Sequence, residues 1–219
     1  MTHTVKAVVF DLDGLMLNTE DIFELSGQEL MRRRGKVMTT ECQLQMLGRR
    51  PDEAFTVMKR LLDVDDPIED LQNETREIFA ALMDDNLAAM PGLYELLDAI
   101  EAVGLPKAVA TSSPREYMTD LMGKFDLLGR FPISLTAEDV EVGKPDPEIY
   151  LKAAELLSVD PANMIVLEDS EAGTRAAASA GAIAVSVPNR HTKVQDFSMA
   201  TRVVESLADE WLASLIQAS

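Results

Sequence analysis

Five short runs of continuous apolarity constrain this chain more than any other feature: Val5–Phe10, Lys107–Thr111, Ile133–Thr136, Met164–Glu168 and Ile183–Val187. Each is strand length, and none alternates, which is the pattern of parallel strands covered on both faces. Helical patterns separate the later runs. Leu93, Leu96, Leu97 and Ile100 share one helical face, Gly104 follows as a stop and Pro106 opens the next strand. Pro147 begins a stretch with Ile149, Tyr150, Ala153, Leu156 and Leu157 at helical spacing, since proline is tolerated in a first turn. Ser170 suits the N-cap of a segment that Gly181 ends. Strand alternating with helix predicts an α/β fold with a doubly wound parallel sheet.

From Glu20 to about Ala89 the alternation fails. That region holds only helical stretches, Glu20–Arg34, Thr39–Met46, Pro51–Leu62 and Pro67–Ala88. An insertion of this length after a first strand is too long for a crossover, so it predicts an α-helical subdomain. The expected division is residues 1–17 and 90–219 as the α/β core and residues 18–89 as the inserted helical part. Arg32, Arg33 and Arg34 close its first helix and suit the negative end of the helix dipole, solvated; a phosphate-binding patch is the competing reading.

Composition narrows the function. With 38 acids against 20 bases the formal charge is −18, so a nucleic-acid partner would meet long-range repulsion. The single cysteine, Cys42, cannot form an internal disulfide, which suits a reducing compartment. No apolar run approaches a membrane span, and no export core opens the sequence, so a cytoplasmic location without membrane partners is expected. Two histidines, His3 and His191, leave little for a multi-histidine metal site or a Ser-His-Asp triad. The oligomeric state is not legible.

Ligands of an open α/β sheet sit beyond the carboxyl ends of its strands, at the switch point in strand order. Asp11-Leu12-Asp13-Gly14 follows the first strand, Thr111-Ser112-Ser113 the second, Lys144 lies after the third, and Glu168-Asp169-Ser170 closes the fourth. Each has an ordinary reading as a turn, a helix cap, a surface loop or a helix start. Together they bring several carboxylates to one edge, a cluster that needs a cation or shared protons. Oxygen ligands without histidine or cysteine point to magnesium, which suits a phosphoryl substrate. Lys144 can neutralise both nucleophile and phosphate charge, while Thr111 and the Ser112 backbone N–H can donate to phosphoryl oxygens.

Phe10-Asp-Leu-Asp-Gly, Thr111-Ser112, Gly143-Lys-Pro-Asp-Pro and Glu168-Asp-Ser-x-x-Gly173 resemble the four motifs of the haloacid dehalogenase superfamily, in its phosphatases and phosphomutases with a helical cap inserted after the first motif. The resemblance spans nearly the whole chain. It implies a phosphoric monoester hydrolase acting on a small phosphorylated metabolite, a sugar or nucleoside phosphate, with Mg2+ as cofactor. It makes Asp11 the nucleophile that forms an aspartyl-phosphate and Asp13 the general acid/base. Asp11, the backbone carbonyl of Asp13 and Asp169 would hold magnesium, with Glu168 in or just outside that shell. Thr111, Ser112 and Lys144 would bind the phosphoryl group. Dehalogenases and phosphonate hydrolases of this superfamily lack an acid where Asp13 stands. β-Phosphoglucomutases carry a histidine where this chain has Phe23, which favours hydrolysis over the mutase alternative. Gly14-Leu-Met-Leu-Asn-Thr-Glu, Met90-Pro-Gly and Val187-Pro look like the pseudouridine-5′-phosphatase and sugar-phosphatase group. Asn18 replaces a usual aspartate at a helix cap, with little chemical effect expected. Arg49, and then Arg50, in the loop Gly48-Arg49-Arg50-Pro51 is the expected substrate contact from the cap. A phospho-ligand binding module without turnover is the third reading.

Overall fold

The computed structural model describes residues 4–46 and 51–217. Its sheet has the order β3-β2-β1-β4-β5-β6, every neighbouring pair parallel. The strands are β1 (Ala7–Phe10), β2 (Lys107–Ala110), β3 (Ile133–Leu135), β4 (Met164–Glu168), β5 (Ile183–Ser186) and β6 (Arg202–Val203). The doubly wound parallel sheet expected from the sequence is present. Four of the five anticipated strands are shorter than their apolar runs: β2, β3 and β5 stop one residue early, where the chain turns into the loops at the carboxyl edge, and β1 starts two residues late. The sixth strand has no apolar run to betray it: two exposed residues form an edge against Val185 and Ser186.

Both faces of β1, β2, β4 and β5 are dry. Ala7, Val9, Ala108, Ala110, Met164, Val166 and Ala184 pack with Ile149, Tyr150, Ala153, Ala176 and Ala177, which come from helices α7 (Glu148–Leu157) and α8 (Glu171–Ser179). The alternate residues Val8, Phe10, Val109, Ile165, Leu167 and Val185 are equally inaccessible. Strands with no wet face read as unbroken apolar runs, which is why the sequence disclosed them. The alanines on the α7 and α8 side let those helices sit close to the strands. Ser170 caps α8 as expected, its hydroxyl accepting from the Gly173 N–H at 3.1 Å.

The chain separates into two compact units, residues 1–17 with 89–219, and residues 18–88. The second is helical: α1 (Thr19–Arg33), α2 (Thr40–Met46), α3 (Pro51–Leu62) and α4 (Ile68–Asn86). Leu30, Met31, Cys42, Phe55, Met58, Val64, Leu71 and Ile78 form its core. Asn18 lies at the N-cap of α1, yet its side chain makes no cap hydrogen bond. Its Oδ1 accepts from the Ala88 N–H at 2.7 Å and its Nδ2 donates to the Asn86 carbonyl at 3.1 Å, stitching together the two ends of the insertion. Aspartate could supply the acceptor but not the donor. The three arginines at the end of α1, Arg34 being its C-cap, are not simply solvated. Arg32 pairs with Glu29, Arg33 with Glu29 and Glu74, and Arg34 with Asp66 and Glu74.

Helices α5 (Leu93–Ala102), α6 (Arg115–Lys124) and α9 (Glu210–Gln217) complete the α/β unit. Among the described residues, no helix is long and apolar enough to cross a membrane.

Candidate active site at the carboxyl edge of the sheet

β1 lies between β2 and β4, where the winding reverses, so its carboxyl end opens onto the crevice expected at a switch point. Asp11 leaves that end while still tied to the sheet, its N–H donating to the Leu167 carbonyl at 3.0 Å. Glu168 and Asp169 leave the adjacent strand β4. One oxygen from each of Asp11, Glu168 and Asp169 lies within 4.8 Å of the others, and all three residues are buried. Lys144 Nζ enters this group, 2.6 Å from Asp11 Oδ1, 2.6 Å from Glu168 Oε1 and 2.9 Å from the Ala110 carbonyl.

Fully ionised, three carboxylates and one ammonium would leave two negative charges out of contact with water. Asp11 registers the imbalance. Burial pushes its carboxyl up from 3.8 to about 8; Lys144 opposes the rise, and the Glu168 and Asp13 carboxylates add to it. Burial also works against the Lys144 ammonium, but Asp11 and Glu168 together overcome it and hold its pKa well above the usual lysine value. An all-oxygen donor set with an excess of two negative charges fits a hard divalent cation.

Two glycines make room for these carboxylates. Gly14 has φ of +74°, and a Cβ there would come 2.5 Å from Asp169 Oδ2. A Cβ on Gly173 would fall inside the Glu168 carboxylate, so the first turn of α8 can lie over that side chain only as glycine. Both glycines belong to the sequence motifs, and both act by leaving space.

Two further groups escaped the sequence reading. The Tyr150 hydroxyl donates to Glu168 Oε1, and Lys144 Nζ lies 5.1 Å from the centre of the Tyr150 ring. Helical spacing marked Tyr150 as core, and it is fully buried, but its polar end belongs to the site. With Ser170 Oγ donating to Oε2 at 3.1 Å, Glu168 already accepts three hydrogen bonds, which makes it an anchor for the lysine. The second group is Asn189, in the loop after β5. Its Nδ2 donates to Asp169 Oδ2 at 2.8 Å and to the Gly14 carbonyl at 3.1 Å. Its Oδ1 accepts from the N–H groups of His191 and Thr192, which locks the amide orientation. An asparagine in a loop carries no signal of its own beside Val187-Pro.

Asp13 stands apart. Its carboxylate is not among the three clustered ones. Oδ2 accepts from Ser113 Oγ at 2.7 Å and Thr111 Oγ1 at 3.2 Å, while Oδ1 accepts from the Tyr117 hydroxyl at 3.1 Å. Thr111 and Ser113 therefore turn to Asp13 instead of capping α6, whose N-cap is Pro114 without a side-chain bond. Ser112 is exposed beside them. Arg49 and Arg50 lie outside the described residues. Asp11, Asp13, Thr111, Lys144, Glu168 and Asp169, drawn from four separated stretches, thus meet at one edge of the sheet.

Comparison with known proteins identifies the family. Over 181 residues the chain is 31% identical to the phosphorylated carbohydrates phosphatase of Thermotoga maritima, covering 81% of this chain and 82% of the relative. It is 32% identical to a Drosophila melanogaster protein named probable pseudouridine-5′-phosphatase, covering 94% and 91%. A hydrolase structure from Deinococcus radiodurans, with bound phosphate and sodium, superposes with a TM-score of 0.82 at 29% identity, covering 99% of this chain and 97% of that one. The family model for haloacid dehalogenase-like hydrolases matches residues 8–187, the span that contains all four motif stretches, and this chain belongs to that family.

Proposed function

We propose that the protein is a magnesium-dependent phosphatase that hydrolyses a small phosphorylated metabolite, a sugar or nucleoside phosphate, through a phosphoryl group carried on Asp11. The observation that carries this reading is the pairing of two unlike carboxylates two residues apart. Asp11 is buried against an ammonium, and Asp13 is half-buried among neutral hydroxyls. The first suits a nucleophile facing an anion, the second a group that gives and takes a proton. The relatives named as phosphatases of phosphorylated carbohydrates and of pseudouridine 5′-phosphate support the substrate class. Bound phosphate and a cation in a structural neighbour support the ligand chemistry.

In the first half-reaction an oxygen of Asp11 bonds to phosphorus as the bond to the ester oxygen breaks. The departing oxygen keeps that electron pair and takes the Asp13 carboxyl proton. In the second half a water gives one proton to the Asp13 carboxylate and its oxygen bonds to phosphorus. The bond to Asp11 breaks, its electrons return to the carboxylate, and inorganic phosphate leaves. Lys144 neutralises Asp11 and approaching phosphoryl charge together, with Glu168 and Tyr150 holding it in place. Thr111 and Ser112 donate to phosphoryl oxygens. Asp11, Asp169 and the Asp13 carbonyl would hold the magnesium ion, with Glu168 at its margin; bound there, it would neutralise charge on the phosphoryl oxygens and orient them. The helical unit of residues 18–88 serves as a cap that selects the ester, Arg49 and Arg50 being its candidate contacts. The free, buried Cys42 is consistent with a reducing, cytoplasmic setting.

Steady-state hydrolysis of p-nitrophenyl phosphate with Mg2+ tests the reading. Asp11→Asn should lower kcat by on the order of 1,000-fold or more. Turnover that survives this change overturns the assignment. Isomerisation of a hexose phosphate that depends on a bisphosphate activator would point instead to a mutase. Tight ester binding without phosphate release would point to a binding module.

A further inference from the structure

We infer that Tyr117 is a positioning residue for proton transfer: its hydroxyl, 3.1 Å from Asp13 Oδ1, fixes the plane of the carboxyl that protonates the departing oxygen. The inference rests on the role proposed for Asp13 and adds a residue outside the four sequence motifs.

The torsion that spins an aspartate carboxyl is broad and roughly two-fold, so one pinned oxygen leaves its plane loosely defined. Here both oxygens are engaged, Oδ2 by Thr111 and Ser113, Oδ1 by Tyr117. A hydroxyl has a single proton to donate. When Thr111 turns its proton to a phosphoryl oxygen, Oδ2 loses a donor. Tyr117 donates to the other oxygen, Oδ1, so its hold on the carboxyl is separate from that loss. Its phenol is also a stronger donor than an aliphatic alcohol.

The scaffold behind Tyr117 is firm. Tyr117 lies in the first turn of α6, and the neighbouring Met118, Leu121 and Met122 are buried beneath the helix. The entrance to that turn is anchored twice. The Ala137 N–H donates to the Ser113 carbonyl at 3.2 Å, and the Arg115 N–H donates to both Glu138 carboxylate oxygens at 3.1 Å. The Arg115 guanidinium pairs with Asp139. A phenol carried on so restrained a turn sets a direction.

A general acid matters in proportion to how badly the leaving oxygen needs a proton. Tyr117→Phe keeps the ring and removes the hydroxyl, so it should act on poor leaving groups and spare good ones. The experiment measures kcat/KM, which reports steps through departure of the leaving group, for phenyl phosphate, p-nitrophenyl phosphate and 2,4-dinitrophenyl phosphate. The expected loss is about tenfold for phenyl phosphate and less than about twofold for 2,4-dinitrophenyl phosphate, with KM little changed. An equal loss on all three esters, or no loss on any, overturns the inference while leaving the phosphatase reading intact. Absence of activity in the unsubstituted protein on all three would instead overturn the phosphatase reading. If circular dichroism shows that Tyr117→Phe does not fold, Tyr117→Met is read by the same ratio of losses.

Discussion

Asp11 and Asp13 leave the same strand two residues apart, yet the molecule treats them as opposites. On the β4 side, Asp11 joins two more carboxylates and is answered by the Lys144 ammonium. On the β2 side, Asp13 meets three hydroxyls and no ammonium or guanidinium within hydrogen-bond reach among the described residues. Burial has different consequences on the two sides. Around Asp11 it raises the cost of every uncompensated charge, which makes that side a place for cations. Around Asp13 neutral donors satisfy the carboxylate without an ion pair, the setting that suits the acid/base role proposed for it. One short loop thus holds two carboxylates in two different environments because the strands on its left and right deliver different neighbours.

The contrast can be broken from its charged side. Asn189→Ala removes the amide that orients Asp169 but leaves the hydroxyls around Asp13 untouched. Mg2+ affinity measured by titration calorimetry should fall about tenfold, the usual scale for losing a group that orients a metal ligand. The relative losses across aryl phosphates should stay as they were. Unchanged affinity would mean that Asp169 needs no help from the β5 loop.

A smaller effect sharpens the same contrast. Without a cation, burial pushes the Asp11 carboxyl up to about 8, which favours its protonated form near neutral pH. Mg2+ binding at pH 7 should therefore release up to about one proton, with progressively less released above pH 8. Calorimetry in buffers of different ionisation enthalpy measures this directly, and a buffer-independent enthalpy would contradict it. The sign for stability follows from the same shift. The folded-state value exceeds the unfolded one, so the cation-free protein binds more protons when folded. Its stability should fall as pH rises from about 3.8 to about 8, and added Mg2+ should oppose the fall.

Much of this was readable from the sequence, and the remainder was hidden for physical reasons. Strands covered on both faces write themselves as apolar runs, so β1 to β5 were legible, whereas the exposed pair Arg202 and Val203 was not. Charged groups at strand ends stood out because a carboxylate beside an apolar run is costly without a purpose. The supporting groups gave no such signal. Tyr150 has the spacing of a core residue, and its hydroxyl matters only because Glu168 is folded against it. Tyr117 and Asn189 reach Asp13 and Asp169 across long separations in sequence, and no local pattern records that proximity. Thr111 to Ser113 looked like a cap because short hydroxyl runs before helices usually are one; only the tertiary fold shows them turned to Asp13.

The central claim is that phosphorus is transferred to Asp11 itself. It is tested most directly by acid-quenching the enzyme during turnover of p-nitrophenyl phosphate with Mg2+ and locating the phosphoryl group by peptide mass spectrometry. The account predicts that the peptide containing residues 11 and 13 gains the mass of one phosphoryl group, with fragmentation assigning it to Asp11. A phosphoryl group on any other residue, or none under conditions where the first half-reaction outpaces the second, would contradict it.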